Sequence, residues 1–225
     1  MTVKEAVKKV VALANNEVGY SAEAGKRTKY AAYMDSIKDY YNGPKNGFDW
    51  CDVFVDYLFY KCFGDTGRQM IYQPKKSLGA GVGYSANYYK AAGAFKKIPE
   101  IGSQVFFGSQ HTGIVTDIVG NYITTVEGNT GGGAGRVMRK NYLKTDSSIT
   151  GYGIPNWVLA KNIKNEVSQN DKTTLQKKIE KVSSELSKKA YDTIQGKYGN
   201  GAARVKALGS YYSPVQWIIN EVLKE

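Results

Sequence analysis

Apolar positions in the first hundred residues recur at helical spacing, and after Pro99 the period shortens to that of strands. One helix is predicted from Lys4 to about Val18, stopped by Gly19. A second runs from about Thr28 to Tyr41, where Tyr30, Tyr33, Met34, Ile37 and Tyr41 form a stripe that Asn42-Gly43-Pro44-Lys45-Asn46-Gly47 ends. The densest apolar run is Trp50-Cys51-Asp52-Val53-Phe54-Val55-Asp56-Tyr57-Leu58, which with Cys62 predicts a largely buried helix opening at Cys51 and ending near Gly64. Asp65 to Gly83 reads as loop. Ser85 is expected to cap a short helix through Tyr88, Tyr89 and Ala92, ended by Gly93.

Strands are predicted at Ser103–Phe107, Thr112–Val119, Tyr122–Val126, Val137–Tyr142 and Tyr152–Trp157, punctuated by Gly120-Asn121 and Gly128-Asn129. Helices first and strands afterwards define an α+β domain over residues 1–160. Residues 161–184 read as a polar linker running into a helix from Leu175 to Ser184. The tail, 185–225, is expected to be a separate module of three short helices: Leu186 to Gly196, Ala203 to Leu208, and Pro214 to Leu223 with its proline in the first turn.

A hydrophobic share of 42% and a charged share of 23% fit a globular chain. The net charge of +11 asks for an anionic partner: nucleic acid, an acidic membrane surface or an anionic cell wall. That charge is spread out, with 19 basic against 13 acidic residues in 1–160 and 12 against 7 in the rest, so nucleic acid is not expected. No apolar run is long enough to span a membrane, and Met1 to Leu13 lacks the apolar core of a secretory signal. Synthesis in a cytoplasm without an address, and no membrane insertion, are the expectation. Cys51 and Cys62 on one helix would lie about 16 Å apart, too far for a disulfide. With a single histidine, no metal or other cofactor is expected.

Cys51 carries the candidate chemistry. First-turn amides of a helix lack intrahelical partners and the dipole is positive there, both of which favour a thiolate. His111 stands at the lip of a strand in Gln110-His111-Thr112-Gly113-Ile114-Val115. The hairpin returning through Asn121 brings back Glu127 and Asn129, which share a face while the strand persists. Alone, Glu127 could be a surface acid and Asn129 a turn residue. Together they can fix the imidazole's tautomer and orientation, as the third member of a triad does.

A cysteine opening a helix, then a histidine and polar residues on strands, is the papain-type order. Residues from about Asn15 to Trp157 resemble the CHAP family of cysteine amidohydrolases and peptidases, which cut peptidoglycan. The resemblance rests on Phe48-Asp49-Trp50-Cys51-Asp52-Val53-Phe54-Val55-Asp56, Gly83-Tyr84-Ser85-Ala86-Asn87-Tyr88-Tyr89, Ile101-Gly102-Ser103-Gln104-Val105-Phe106-Phe107-Gly108, His111-Thr112-Gly113-Ile114-Val115 and Glu127-Gly128-Asn129-Thr130. It implies a papain-like fold of N-terminal helices on an antiparallel sheet, with Cys51 as nucleophile, His111 as general base, and Glu127 with Asn129 as orienting groups. Some members bind calcium through an Asp-rich loop ahead of the cysteine. Here Pro44-Lys45-Asn46-Gly47-Phe48 is not such a loop, and Asp35 and Asp39 read as a solvated helix face, so no metal is implied.

In the tail, Gly196-Lys197-Tyr198-Gly199-Asn200-Gly201-Ala202-Ala203-Arg204, with Leu208, Tyr211, Tyr212, Val215, Gln216 and Asn220, resembles the CW-seven cell-wall-binding repeat of phage lysozymes. That likeness implies a three-helix bundle with Asn200, Gly201 and Arg204 at the ligand. The two resemblances together imply a phage-type peptidoglycan hydrolase released through a holin pore, either an N-acetylmuramoyl-L-alanine amidase or an endopeptidase. Its partner would be bacterial peptidoglycan, with no obligate protein partner. The alternative is a wall-binding or virion module with an inactive papain-like fold.

Overall fold

A computed structural model describes residues 1–162 and 183–222. The chain divides into two compact units, Met1–Lys164 and Asn165–Glu225. Most of the predicted helix from Leu175 to Ser184 lies outside the described residues.

The first unit is α+β. Its helices are α1 (Val3–Asn16), α2 (Lys29–Asp35), α3 (Cys51–Phe63), α4 (Asp65–Met70) and α5 (Val82–Ala91). Six strands follow: β1 (Phe95–Lys96), β2 (Gln104–Phe107), β3 (His111–Val119), β4 (Tyr122–Thr130), β5 (Arg136–Leu143) and β6 (Gly151–Gly153). They form one antiparallel sheet in the order β1-β6-β2-β3-β4-β5.

Alternation along the strands sorts side chains between two faces. Phe106, Ile114 and Val126 join the main core with α1, α2 and α3, while Val105, Val115, Ile123 and Tyr152 form a smaller cluster closed over by Phe107 and Tyr142. Helix α3 is buried almost all round, so it lies in the middle of the unit rather than on its surface. Gly128 lets β4 approach it: a Cβ there would fall 2.6 Å from the Trp50 ring and 2.8 Å from Phe54 Cβ.

Four predicted elements differ. Helix α2 stops at Asp35 because that carboxylate accepts the backbone N–H groups of Lys45 and Asn46, at 2.8 and 3.0 Å, so it is not a free solvated acid. Helix α4 occupies part of the predicted loop, and its Gly67 packs so tightly on α3 that a Cβ would meet the Phe59 carbonyl at 2.1 Å. Ser85 caps nothing, since α5 begins at Val82 and the Ser85 hydroxyl donates to Asp52. Trp157 opens a 3-10 turn and packs its ring, tilted, against Phe59 in the core instead of ending a strand.

In the second unit, residues 183–194 are helical (α6), followed by α7 (Ala202–Leu208) and α8 (Tyr212–Val222). Ala190, Leu208, Val215 and Ile219 form its core, with Leu186, Tyr198, Tyr211 and Tyr212 packed around them.

Candidate active site

Cys51 is the first residue of α3 and only 4% exposed. The backbone N–H groups of Asp52 and Thr112 act on its thiol, pulling its pKa down. The first of these is a free donor of the helix start, and the second belongs to the residue after His111, so α3 meets β3 at the candidate pair. The helix start favours a thiolate, but other groups outweigh it. Burial, then the charges of Asp52 and Asp49, push the thiol up to about 12 against the pull of those two N–H groups.

His111 opens β3 opposite Phe107 and stacks on that ring, with centroids 5.7 Å apart. Its Nε2 is 2.9 Å from Glu127 Oε2. Glu127 is on β4, opposite Gly113, because Ile114 pairs with Val126. To reach the imidazole its side chain crosses directly over Gly113, where a Cβ would stand 2.6 Å from Glu127 Cγ. Glycine is therefore the residue that lets the acid pass.

Glu127 is completely buried, yet ionised. Burial alone would raise its pKa, but hydrogen bonds from His111 and from Thr125 (2.6 Å), with Lys140 at 3.5 Å, hold it below the usual range. Burial and then the Glu127 charge push the Tyr142 hydroxyl up. An ionised carboxylate only accepts, which assigns the ring hydrogen to Nε2 and leaves the Nδ1 lone pair free. Glu127 thus holds the imidazole by itself, where the expectation paired it with Asn129.

Asn129 is not part of this pair. The register of β4 against β5 shifts between Glu127 and Thr130, and Asn129 adopts a left-handed φ of 56°. The bulge removes the strand alternation on which the shared face depended. Its amide donates instead to Asp49 Oδ1 at 2.9 Å, and Lys26 binds that same oxygen. Asn129 thereby ties the end of β4 to the loop before Cys51. Trp50 adds a second tie, its indole N–H donating to the Ala134 carbonyl at 3.1 Å.

A buried polar network had no place in the sequence reading. Asp52 accepts from Ser85 Oγ (2.6 Å), Gln104 Nε2 (2.8 Å) and the Ala80 N–H (3.1 Å). The same Gln104 amide reaches Thr112 Oγ1 at 3.1 Å, so one side chain bridges the turn after Cys51 to the residue after His111. One helical turn on, Asp56 accepts from Tyr41 and Gln73. Burial raises both acids above ordinary carboxyl values, Asp56 strongly. The sequence signal for this network was two acids, four apart, on an otherwise apolar helix. Such acids are buried only when hydrogen-bonded.

Among the described residues no group of three or more His, Cys, Asp or Glu side chains is placed to hold a metal ion. No described helix is long and apolar enough to cross a membrane. Both cysteines are free and buried.

In the second unit, Arg204 donates from Nε to the Gly199 carbonyl (3.0 Å) and from Nη2 to Asn200 Oδ1 (2.8 Å). Gly201, with φ of 53°, turns the chain into α7. The three residues expected at a ligand are therefore neighbours at one interhelical turn. Residues 190–223 match the CW_7 repeat family. No curated protein and no solved structure matches the chain. A CW_7 cell-wall repeat points to a cell-wall-binding protein.

Proposed function

We propose that the chain is a peptidoglycan hydrolase of the phage-lysin type, with a CHAP-like, papain-type first unit and a wall-binding second unit. The observation that carries this reading is the buried, ionised Glu127 holding His111 at the start of β3, the strand that packs against the Cys51 helix.

In the proposed mechanism His111 Nδ1 takes the thiol proton as Cys51 attacks an amide carbonyl of the wall. Glu127 stabilises the imidazolium that results. The Cys51 backbone N–H, free at the helix start, is the natural donor to the developing oxyanion. The intermediate collapses to a thioester as the amine leaves with the proton from His111. Water, deprotonated by the same imidazole, then releases the acid and restores the thiol. A thiol pushed up to about 12 makes the base essential, since the free chain holds little thiolate of its own. The repeat and the net charge of +11 keep the enzyme near an anionic wall.

The test is turbidity loss of purified walls with mass spectrometry of the released fragments, which also separates amidase from endopeptidase cleavage. Cys51→Ala should stop release and leave wall pull-down intact. Release that persists in this variant would remove Cys51 from the mechanism. One observation favours a catalytically silent wall-binding module: the burial and raised pKa of that thiol. Stoichiometric alkylation of Cys51 near neutral pH, lost in His111→Ala, speaks for the enzyme. An unlabelled Cys51 on a chain that releases nothing speaks for the module.

A further inference from the structure

Gly83, Ala86, Asn87 and Lys90 recur at intervals of three and four and so share one face of α5. With Ser109 and Lys97 they line a cleft of about 540 Å³, a size typical of small-ligand sites. The cleft contains no acidic residue. Lys90 lies 5.2 Å over the Phe95 ring, and Lys97 spends one donor on the Thr150 carbonyl at 3.0 Å. Among the described residues neither lysine has a salt-bridge partner. Each ammonium carries three donors, so most of their capacity is unspent, and Asn87 and Ser109 add neutral donors beside them.

Its position connects it to the candidate site. Ser85, on the same helix, holds Asp52 next to Cys51, and Ser109 is in the turn two residues before His111. The walls of the cleft are thus the elements that carry or brace the nucleophile and its base. We propose that this cleft seats a free carboxylate of the peptide substrate, with Lys90 and Lys97 as its counter-charges, and so orients the scissile amide toward Cys51. This assignment rests on the hydrolase reading above.

The experiment uses the full chain carrying Cys51→Ala, followed by NMR during titration with three probes. These are a synthetic stem tetrapeptide ending in a free carboxylate, the same peptide ending in an amide, and inorganic phosphate. The free acid should shift the amide signals of Asn87, Ser109 and Thr150. Amidation, or Lys90→Ser with Lys97→Ser, should weaken its binding about tenfold or more, and Lys→Arg at both positions should restore it. Both lysines are exposed, so these variants fold. Equal binding of the two peptides, shifts confined to other residues, or no binding at all would overturn the assignment. Phosphate that displaces the peptide at equal concentration would overturn it too, leaving a general oxyanion site. Wall-fragment release by the unmodified chain separates the two failures. If fragments appear, a negative titration refutes only the cleft; if none appear, the hydrolase reading itself falls.

Discussion

The two ends of α3 each carry a buried cysteine, and little else about them is alike. Cys51 stands at the positive end of the helix dipole and Cys62 near the negative end, where Lys9 donates to the Cys62 carbonyl at 2.8 Å. By the dipole alone Cys51 should be the more acidic. Burial overrides that advantage: it pushes Cys62 up to about 11 and, with two neighbouring acids, it pushes Cys51 up to about 12. What distinguishes the N-terminal end is its surroundings: it packs against β3, which opens with a histidine held by an ionised acid. A helix terminus does not make a nucleophile by itself. It needs a base.

That contrast is easiest to break with the cysteines themselves. Cys51→Ala should lower wall hydrolysis by ~10³-fold or more, and Cys62→Ala should leave it within about twofold. Comparable losses in both variants would mean that the thiols matter only for packing. Next in size is Glu127→Gln, expected to reduce hydrolysis by ~10²-fold or more through loss of the tautomer lock, with wall pull-down unchanged. The same variant has a stability signature. The native Glu127 carboxyl is held below its ordinary value of 4.5, so its contribution is present above that pH and lost as pH falls through the lower native value. Melting temperatures of Glu127→Gln should therefore lack part of the acid limb seen in the unmodified chain.

Close-approach glycines at the two ends offer a smaller effect. Gly128→Ala forces a Cβ against Trp50 and Phe54, and Gly67→Ala forces one against the Phe59 carbonyl. Each should cost roughly 1–3 kcal/mol in denaturant unfolding. Only Gly128→Ala should also lower hydrolysis in the fraction that stays folded, because only it displaces the cysteine end. The smallest effect belongs to Lys9→Met. Its charge draws the Cys62 thiol down, so removing it should raise the pH midpoint of Cys62 alkylation and leave that of Cys51 in place.

Local pattern carried the long elements. α1, α3 and the three central strands were legible because their apolar periods are long and unbroken, and His111–Glu127 followed from a hairpin whose turn the sequence marks. Contacts distant along the chain decided the rest. Gly67 reads as a helix breaker, yet α4 needs it to lie on α3. Asn129 follows Glu127 by two residues, but a bulge turns it to Asp49, 80 positions away. The bond from Gln104 to Asp52 spans 52 positions and no periodicity reports it. The C-terminal repeat was the reverse case: its turn, Arg204 and Asn200 lie within a few residues, so motif and structure coincide.

The indole bond from Trp50 to Ala134 has a consequence for how the protein comes into being. It closes 84 residues of chain, and His111 and Glu127 both lie inside that loop. During synthesis α3 can coil as soon as it emerges, but Cys51 does not meet its proposed base, His111, until β3 and β4 have followed and paired. A partly made chain therefore carries a buried-type thiol without chemistry. On the hydrolase reading, competence arrives late, with the sheet.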